Sequence, residues 1–267
     1  MERVLTGEAW VVTKAFRGFQ GDTAMSFPST KWQVVDALKG DDPEASTAAL
    51  SELLETYGPP LLAFSLRRRK TRTKEDCEDL VHEYFTRCIE AGLLKQAEQA
   101  KGRFRNFLLA SFKHFVSNED RAKRTKKRAP SGGMVSLDAL IEQFGFVLEP
   151  HSPETPEAAF DRALRFVRFN RTLRRFEKIC RDADDELKYL GFVGRDIRPA
   201  IEGTSVPGYA LLARELGTSE NALNKKVLAA REEFNDLLRA SVATDCGTSA
   251  EAESECRLIV ATVLKGS

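Results

Sequence analysis

The residues best suited to binding chemistry lie in one basic segment, residues 101–128. This segment contains ten Lys and Arg residues against two acids, Glu119 and Asp120, which places about eight positive charges on one stretch of chain. The whole chain has a formal net charge of only +1, so the positive charge is concentrated here and not merely scattered. A dense cationic segment predicts a polyanionic partner.

The same segment has helical periodicity, which separates a core-facing side from a polar side. We expect the first side to hold the helix on a core and the second to face a nucleic acid. The core-facing side consists of Phe104, Phe107, Leu108, Ser111 and Phe115. The candidate DNA-binding side consists of Lys113, His114, Ser117, Asn118, Arg121 and Arg124.

An acidic segment precedes the basic one. Residues 76–90 carry five acids and one base, and Asp76, Asp79 and Glu83 can share one face of a helix. Acids around an apolar strip suit a basic protein partner. They could instead hold a divalent metal in a nucleic-acid-processing enzyme, but no second carboxylate motif or supporting base is visible. The buried stripe of this helix is expected to contain Leu80, Tyr84, Phe85, Cys88 and Ile89.

Residues 209–228 have the pattern of a helix-turn-helix. Gly217 can adopt positive φ at the turn, and Ser219 or Thr218 can cap the next helix. The crossing is expected to pack Ala213, Leu216, Leu223 and Val227. An αα-hairpin with a solvated face is the alternative. The exposed start of the second helix would carry polar residues that can read base edges or hold phosphates, namely Glu220, Asn221, Asn224, Lys225 and Lys226.

The composition of the 267 residues points away from catalysis. The five cysteines form no CxxC pair, and the three histidines are widely spread, so we expect reduced thiols and no metal site or cofactor. No nucleotide-binding loop or nucleophile motif is present. We find no run of eighteen apolar residues and no secretory signal, which predicts a cytoplasmic protein without membrane insertion.

Helical periodicity dominates the chain and predicts an all-α fold of two helical domains joined by a flexible linker. Helices are expected at 30–38, 45–70, 74–91, 94–100, 103–127, 157–182 and 250–264, with a kink or break at Gly58-Pro59-Pro60 and a broken region at 183–207. The predicted parts are an extension (1–27), a first domain (28–128), a linker (129–156), a second domain (157–244) and a tail (245–267). Translation could start at Met1 or Met25. The tail helix is expected to pack on the second domain or to bind a partner.

Taken in order, these motifs resemble the extracytoplasmic-function group of bacterial RNA polymerase sigma factors. The resemblance covers about residues 27–240 and is densest at FPSTKW (27–32), EDLVHEYF (78–85), GRFRNFLLASFKHF (102–115) and NEDR (118–121). In the linker, SLD (136–138) and TPE (155–157) resemble a long-linker subgroup.

The resemblance implies roles for the motifs. The acidic helix would dock on the clamp helices of the large polymerase subunit through Asp76, Asp79, Leu80, Glu83 and Phe85. The basic helix would open the −10 promoter element. The helix-turn-helix would read the −35 element through Ser219, Asn221, Asn224, Lys225, Lys226 and Arg231. Members of the group are commonly restrained by anti-sigma proteins.

This chain departs from the family at His82, where Gln is frequent, and at residues 228–233, which carry fewer Arg and His residues than usual. The leading hypothesis is an alternative sigma factor that binds core polymerase and promoter DNA, is held by an inhibitor and has no enzyme activity. The alternative is a stand-alone helix-turn-helix regulator or adaptor that binds DNA but not polymerase.

Overall fold

The computed structural model describes residues 31–40, 42–68, 73–96, 103–123, 154–243 and 245–264. All regular structure in these ranges is helical, which confirms the predicted all-α fold class for the described part of the chain. None of these helices combines the length and the apolarity that a membrane span needs. The α-helices are α1 (Lys31–Lys39), α2 (Pro43–Arg68), α3 (Lys74–Glu90), α4 (Phe104–Lys123), α5 (Pro156–Asp182), α6 (Glu186–Phe192), α7 (Arg198–Glu202), α8 (Tyr209–Glu215), α9 (Glu220–Ala243) and α10 (Ser249–Leu264).

The chain divides into two compact units, residues 1–164 and 165–267. The division falls inside α5, whereas the sequence pattern placed the start of the second domain at residue 157. The predicted extension and most of the predicted linker lie outside the described residues. The predicted domain boundaries therefore stay predictions.

An aromatic core holds α2, α3 and α4 together in the first unit. The ring of Phe112 lies 5.9 Å from that of Phe64 and 5.0 Å from that of Tyr84, while Tyr57 contacts Phe104 at 5.5 Å. The Tyr84 hydroxyl also donates a hydrogen bond to the Leu108 carbonyl at 3.3 Å. Edge-on ring pairs of this kind fix the relative rotation of the helices that carry them.

Helix α2 continues through Pro59 and Pro60, so of the kink or break expected at this point the break is wrong. Each proline removes one helical hydrogen bond and costs about 3 kcal/mol. The flanking side chains of Tyr57, Leu61 and Leu62 are completely buried. Because burying one large side chain contributes about 1.5–3 kcal/mol, the packing of this segment outweighs the local preference of the prolines.

Helix α3 begins with a capping box. The Asp76 amide donates to the Thr73 hydroxyl at 3.1 Å, and the Asp76 carboxylate accepts from the Thr73 amide at 3.2 Å. The predicted buried stripe is confirmed at Leu80, Tyr84, Phe85 and Cys88, and Cys77 and Val81 complete it. Ile89 is half exposed, so its predicted burial is wrong. A single turn of 3-10 helix (Leu93–Gln96) follows. The remainder of the helix expected at 94–100 lies outside the described residues.

The second unit is built around four phenylalanines. Phe234 on α9 contacts Phe169, Phe192 and Phe176 at ring distances of 5.4, 5.1 and 6.1 Å. The segment that the sequence pattern described as broken contains α6, one turn of π-helix (Val193–Ile197) and α7. These pieces have 7, 5 and 5 residues, too few for a helical period to stand out in the sequence.

The tail forms the helix that its periodicity predicts, and this helix packs on the second unit. Ala252, Ile259 and Val263 are buried on its inner side. Its Glu255 carboxylate lies 3.7 Å from Arg165 and 3.9 Å from Arg168, and Asp245 in the preceding turn bonds to the same Arg168. Helix α10 therefore packs mainly on α9, and its Glu255 ion pairs link it to α5.

Candidate nucleic-acid and partner-binding surfaces

Two of the predicted docking acids on α3 are committed to contacts within the protein. Asp76 belongs to the capping box described above, and the Glu83 carboxylate accepts a hydrogen bond from Arg87 at 3.0 Å. Asp79 is exposed between them. The carboxylates face solvent along one side of α3, as a surface for a cationic partner requires, and Asp79 takes part in neither of the contacts just described.

Leu80 and Phe85 lie in the core of the first unit, 3 % and 0 % exposed. Their predicted place in a docking surface is therefore wrong for this structure. Docking residues must reach a partner, and these two side chains instead hold α3 against the bundle. The apolar residue that α3 does present to solvent is Ile89.

Arg87 connects the acidic helix to the basic helix. The same guanidinium nitrogen that binds Glu83 also donates to Glu119 of α4 at 2.7 Å. The guanidinium also lies 5.1 Å from the centre of the Phe115 ring. Sequence spacing could have found the Glu83–Arg87 pair, which has the i, i+4 spacing. It could not have found Glu119, because nothing local indicates which helices meet.

The predicted DNA-binding side of α4 is only partly available. Lys113 binds Glu157 at 2.6 Å, and this hydrogen bond is the largest of the effects that lower the pKa of Glu157. Ser117 accepts from Arg68 at 3.1 Å and donates to the Lys113 carbonyl. His114 and Asn118 are exposed. The Arg121 side chain and the whole of Arg124 lie outside the described residues.

The helix-turn-helix has the geometry that its sequence predicts. Gly217 adopts φ +67° at the turn, and the Ser219 hydroxyl accepts from the Ala222 amide at 3.3 Å, so Ser219 is the cap in place of Thr218. The buried crossing contains Leu212, Ala213, Leu223 and Val227, with Leu216 packed against it. Leu212 is an addition to the predicted set.

Helix α6 approaches this crossing closely at Gly191. A Cβ atom on Gly191 would lie 2.7 Å from Leu223 Cδ1 and 3.2 Å from Val227 Cγ2. Any residue with a Cβ atom at this position would force the Leu223 side chain or the helix to shift. The helix-turn-helix is therefore a part of the packed second unit and not an isolated hairpin.

The predicted reading residues fall into two groups. Asn221 and Lys225 are exposed and Asn224 is half-buried, so amide and ammonium groups are presented at the start of α9. Lys226 instead binds Asp185 at 2.6 Å, and Arg231 makes two bonds of 2.7 Å to Asp196. Burial tends to raise the pKa of Asp185, but the Lys226 bond and charge outweigh burial and the pKa is lowered.

These ion pairs change the predicted DNA contacts. The charges of Lys226 and Arg231 are balanced by carboxylates of the α6 region, so their predicted part in phosphate binding requires those pairs to open. The hydrogen bond to Asp196 is the main effect that raises the pKa of Arg231 above its ordinary value. Ser219 serves the helix cap. The surface that remains for base reading is Asn221, Asn224 and Lys225.

A cavity of about 190 Å³ lies among α5, the π-helical turn, α9 and α10. Its wall is mostly aromatic and aliphatic, and the Arg231–Asp196 pair is part of it. Within the described ranges no group of three His, Cys, Asp or Glu residues is arranged to hold a metal ion.

No family model, curated protein or solved structure matches this chain.

Proposed function

We propose that this protein is an alternative sigma factor of the extracytoplasmic-function type, which binds core RNA polymerase in the cytoplasm and directs it to specific promoters. The observation that carries the proposal is the helix-turn-helix in the second unit. Its turn, cap and buried crossing present Asn221, Asn224 and Lys225 at the start of α9. Amides at this position can read adenine edges, and the lysine can bind a phosphate.

The first unit supports the polymerase and melting parts of the proposal. The carboxylates of α3 offer a surface to a basic partner, and His114 and Asn118 of α4 are exposed. Arg87 joins the two helices through Glu83 and Glu119. A partner bound to α3 would therefore also fix the helix proposed to engage the opened DNA strand.

Control by an anti-sigma protein is part of the proposal and rests on the family resemblance. The proposed polymerase and upstream-element surfaces belong to different compact units. A protein that binds both surfaces would keep the factor from polymerase. Such an inhibitor should compete with core polymerase for the purified protein.

A run-off transcription assay tests the proposed function directly. Purified protein and core polymerase should give a transcript from the region upstream of its own gene, and core polymerase alone should not. The charge reversal of Asp79→Lys with Glu83→Lys should abolish polymerase capture while helicity by circular dichroism is retained. Glu253→Lys with Glu251→Lys on α10 is the matched control and should leave capture unchanged.

The second candidate is a stand-alone helix-turn-helix regulator. The burial of Leu80 and Phe85 favours it, because the docking surface then lacks its apolar part. Specific DNA binding by a protein that does not capture core polymerase would support this candidate against the first. Metal-dependent cleavage of DNA would support the enzyme that the α3 carboxylates also suggested.

A further inference from the structure

The cavity of the second unit has an apolar interior that no part of the proposed function uses. Its volume is about 190 Å³. An engineered apolar cavity of about 150 Å³ in another protein binds benzene, so this space is large enough for a ring-sized molecule. The apolar wall is built by α5, α6, the π-helical turn, α9 and α10, through Phe169, Phe192, Ile197, Phe234, Val260 and Leu264.

The polar part of the wall is confined to three side chains. Arg231 donates one hydrogen bond to each carboxylate oxygen of Asp196, both at 2.7 Å, so the charges of this pair are balanced. Each carboxylate oxygen can still accept a further hydrogen bond. Asn235 lies one helical turn after Arg231 and is exposed. The polar side therefore reaches solvent and offers acceptors to a donor group on a ligand.

The backbone is unusual where it lines this cavity. Asp196 and Ile197 belong to the π-helical turn Val193–Ile197, which connects α6 directly to α7. Turns of π-helix are rare in proteins and occur frequently at functional sites. Ligand sites are in general concave and mostly apolar, with a small number of polar groups that orient the ligand. The composition of the wall and the π-helical turn thus point independently to a binding site.

We propose that this cavity binds a neutral aromatic molecule of one or two rings that carries a hydrogen-bond donor. A ring would gain dispersion contacts with the aromatic and aliphatic wall. Its donor could bond to Asp196 or Asn235 while the ion pair with Arg231 stays closed. A carboxylate ligand would instead have to displace Asp196 from Arg231, and an anion left without its partner there is unfavourable. Such a site is independent of the proposed function.

Indole is a suitable probe, because it has two fused rings and one N–H donor. Calorimetric titration of the full chain should show one site with a dissociation constant below about 1 mM. Val260→Phe places a ring in the cavity and should weaken indole binding by about tenfold or more. Leu258→Phe adds a ring to an exposed position of the same helix and is the matched control. It should bind indole as the wild type does.

The wild-type titration is decisive by itself, since the absence of saturable indole binding would overturn the proposal. Equal affinity of the wild type and a folded Val260→Phe variant would also overturn it, because indole would then bind elsewhere. Leu264→Phe fills the cavity from the next turn of α10 and replaces Val260→Phe if circular dichroism shows that the latter is unfolded. Tighter binding of benzoate than of indole would overturn the neutral class of ligand and assign the cavity to an anion held by Arg231.

Discussion

Lys225 and Lys226 are neighbours in the chain but have different surroundings. Lys225 is exposed on the proposed reading surface, whereas Lys226 binds Asp185. We expect Lys225→Gln to lower the salt slope of DNA binding by about 1, because one phosphate contact is lost. Lys226→Gln should instead destabilise the fold by about 1 kcal/mol or less, since the pair is partly exposed and screened by solvent. DNA titrations and thermal unfolding of both variants check this pair of outcomes, and an equal loss of DNA affinity would contradict it.

Asp185 gives the same ion pair a pH dependence. The pKa of Asp185 in the folded protein lies below the ordinary value of 3.8. The charged carboxylate therefore stabilises the fold fully above pH 3.8, and this stabilisation is lost as the pH falls through the folded-state pKa. Asp185→Asn keeps an acceptor for the Lys188 amide at the α6 cap and removes only the charge. The melting temperature of the variant should be lower than wild type at pH 7 and should approach it near pH 3. A constant difference between the two pH values would contradict this account.

The ion pair between Glu157 and Lys113 offers a test of whether Lys113 contacts DNA. Both side chains are partly exposed, so their bond is weak enough for a phosphate to replace it. Glu157→Gln should tighten binding to single-stranded DNA, since Lys113 is then free to contact phosphate. Glu154→Gln, whose partner is Arg162, is the control and should have no such effect. Fluorescence anisotropy with a labelled oligonucleotide measures the difference, and weaker binding by Glu157→Gln would refute the idea.

At the level of helices, the contact of α6 with α9 depends on Gly191. The added methyl group of Gly191→Ala would overlap Leu223, and we expect a loss of about 1–3 kcal/mol from overpacking. Gly208→Ser is the control, because Gly208 caps α8 with φ −63° and has open space where a Cβ would lie. Serine is also a favoured cap. Chemical denaturation should rank Gly191→Ala below wild type and Gly208→Ser at or above it; the reverse order would contradict the close approach.

The elements that could be predicted from the sequence are those marked by turn, cap or periodic residues within the element itself. Gly217 and Ser219 mark the turn and cap of the helix-turn-helix within three residues of each other, and both act as expected. The α6–α7 segment has no such local signal. The need for glycine at position 191 arises from its contact with Leu223, which is distant in the sequence. Periodicity indicates which side of a helix is buried. It does not indicate which helices meet, so the Arg87–Glu119 bond, 32 residues apart, could not be foreseen.

At the scale of the whole molecule, the reactivity of the five cysteines can be used to test the packing of both units. Cys77, Cys88 and Cys180 are buried, and burial raises the pKa of Cys88 and Cys180 to about 11. Cys246 and Cys256 are half-buried. Burial also raises the pKa of Cys256. Because the thiolate is the reactive form, a thiol reagent at pH 8 should label Cys246 first, Cys256 next and all five only after denaturation. Peptide mapping by mass spectrometry identifies the labelled sites, and early labelling of Cys88 or Cys180 would contradict the packing.

The pairing of Arg168 with Asp245 constrains the order in which the chain can fold as it leaves the ribosome. The two residues are 77 positions apart and both are buried in the second unit. At about 5–20 residues per second, roughly 4–15 s separate their synthesis. During that interval Arg168 has no Asp245 to accept its hydrogen bond, and leaving a buried charge without its partner is strongly unfavourable. The first unit, which ends at Leu164, can fold early. Residues 165–182 of α5 stay unpacked until Asp245 has been synthesised, and their phenylalanines are meanwhile accessible to chaperones.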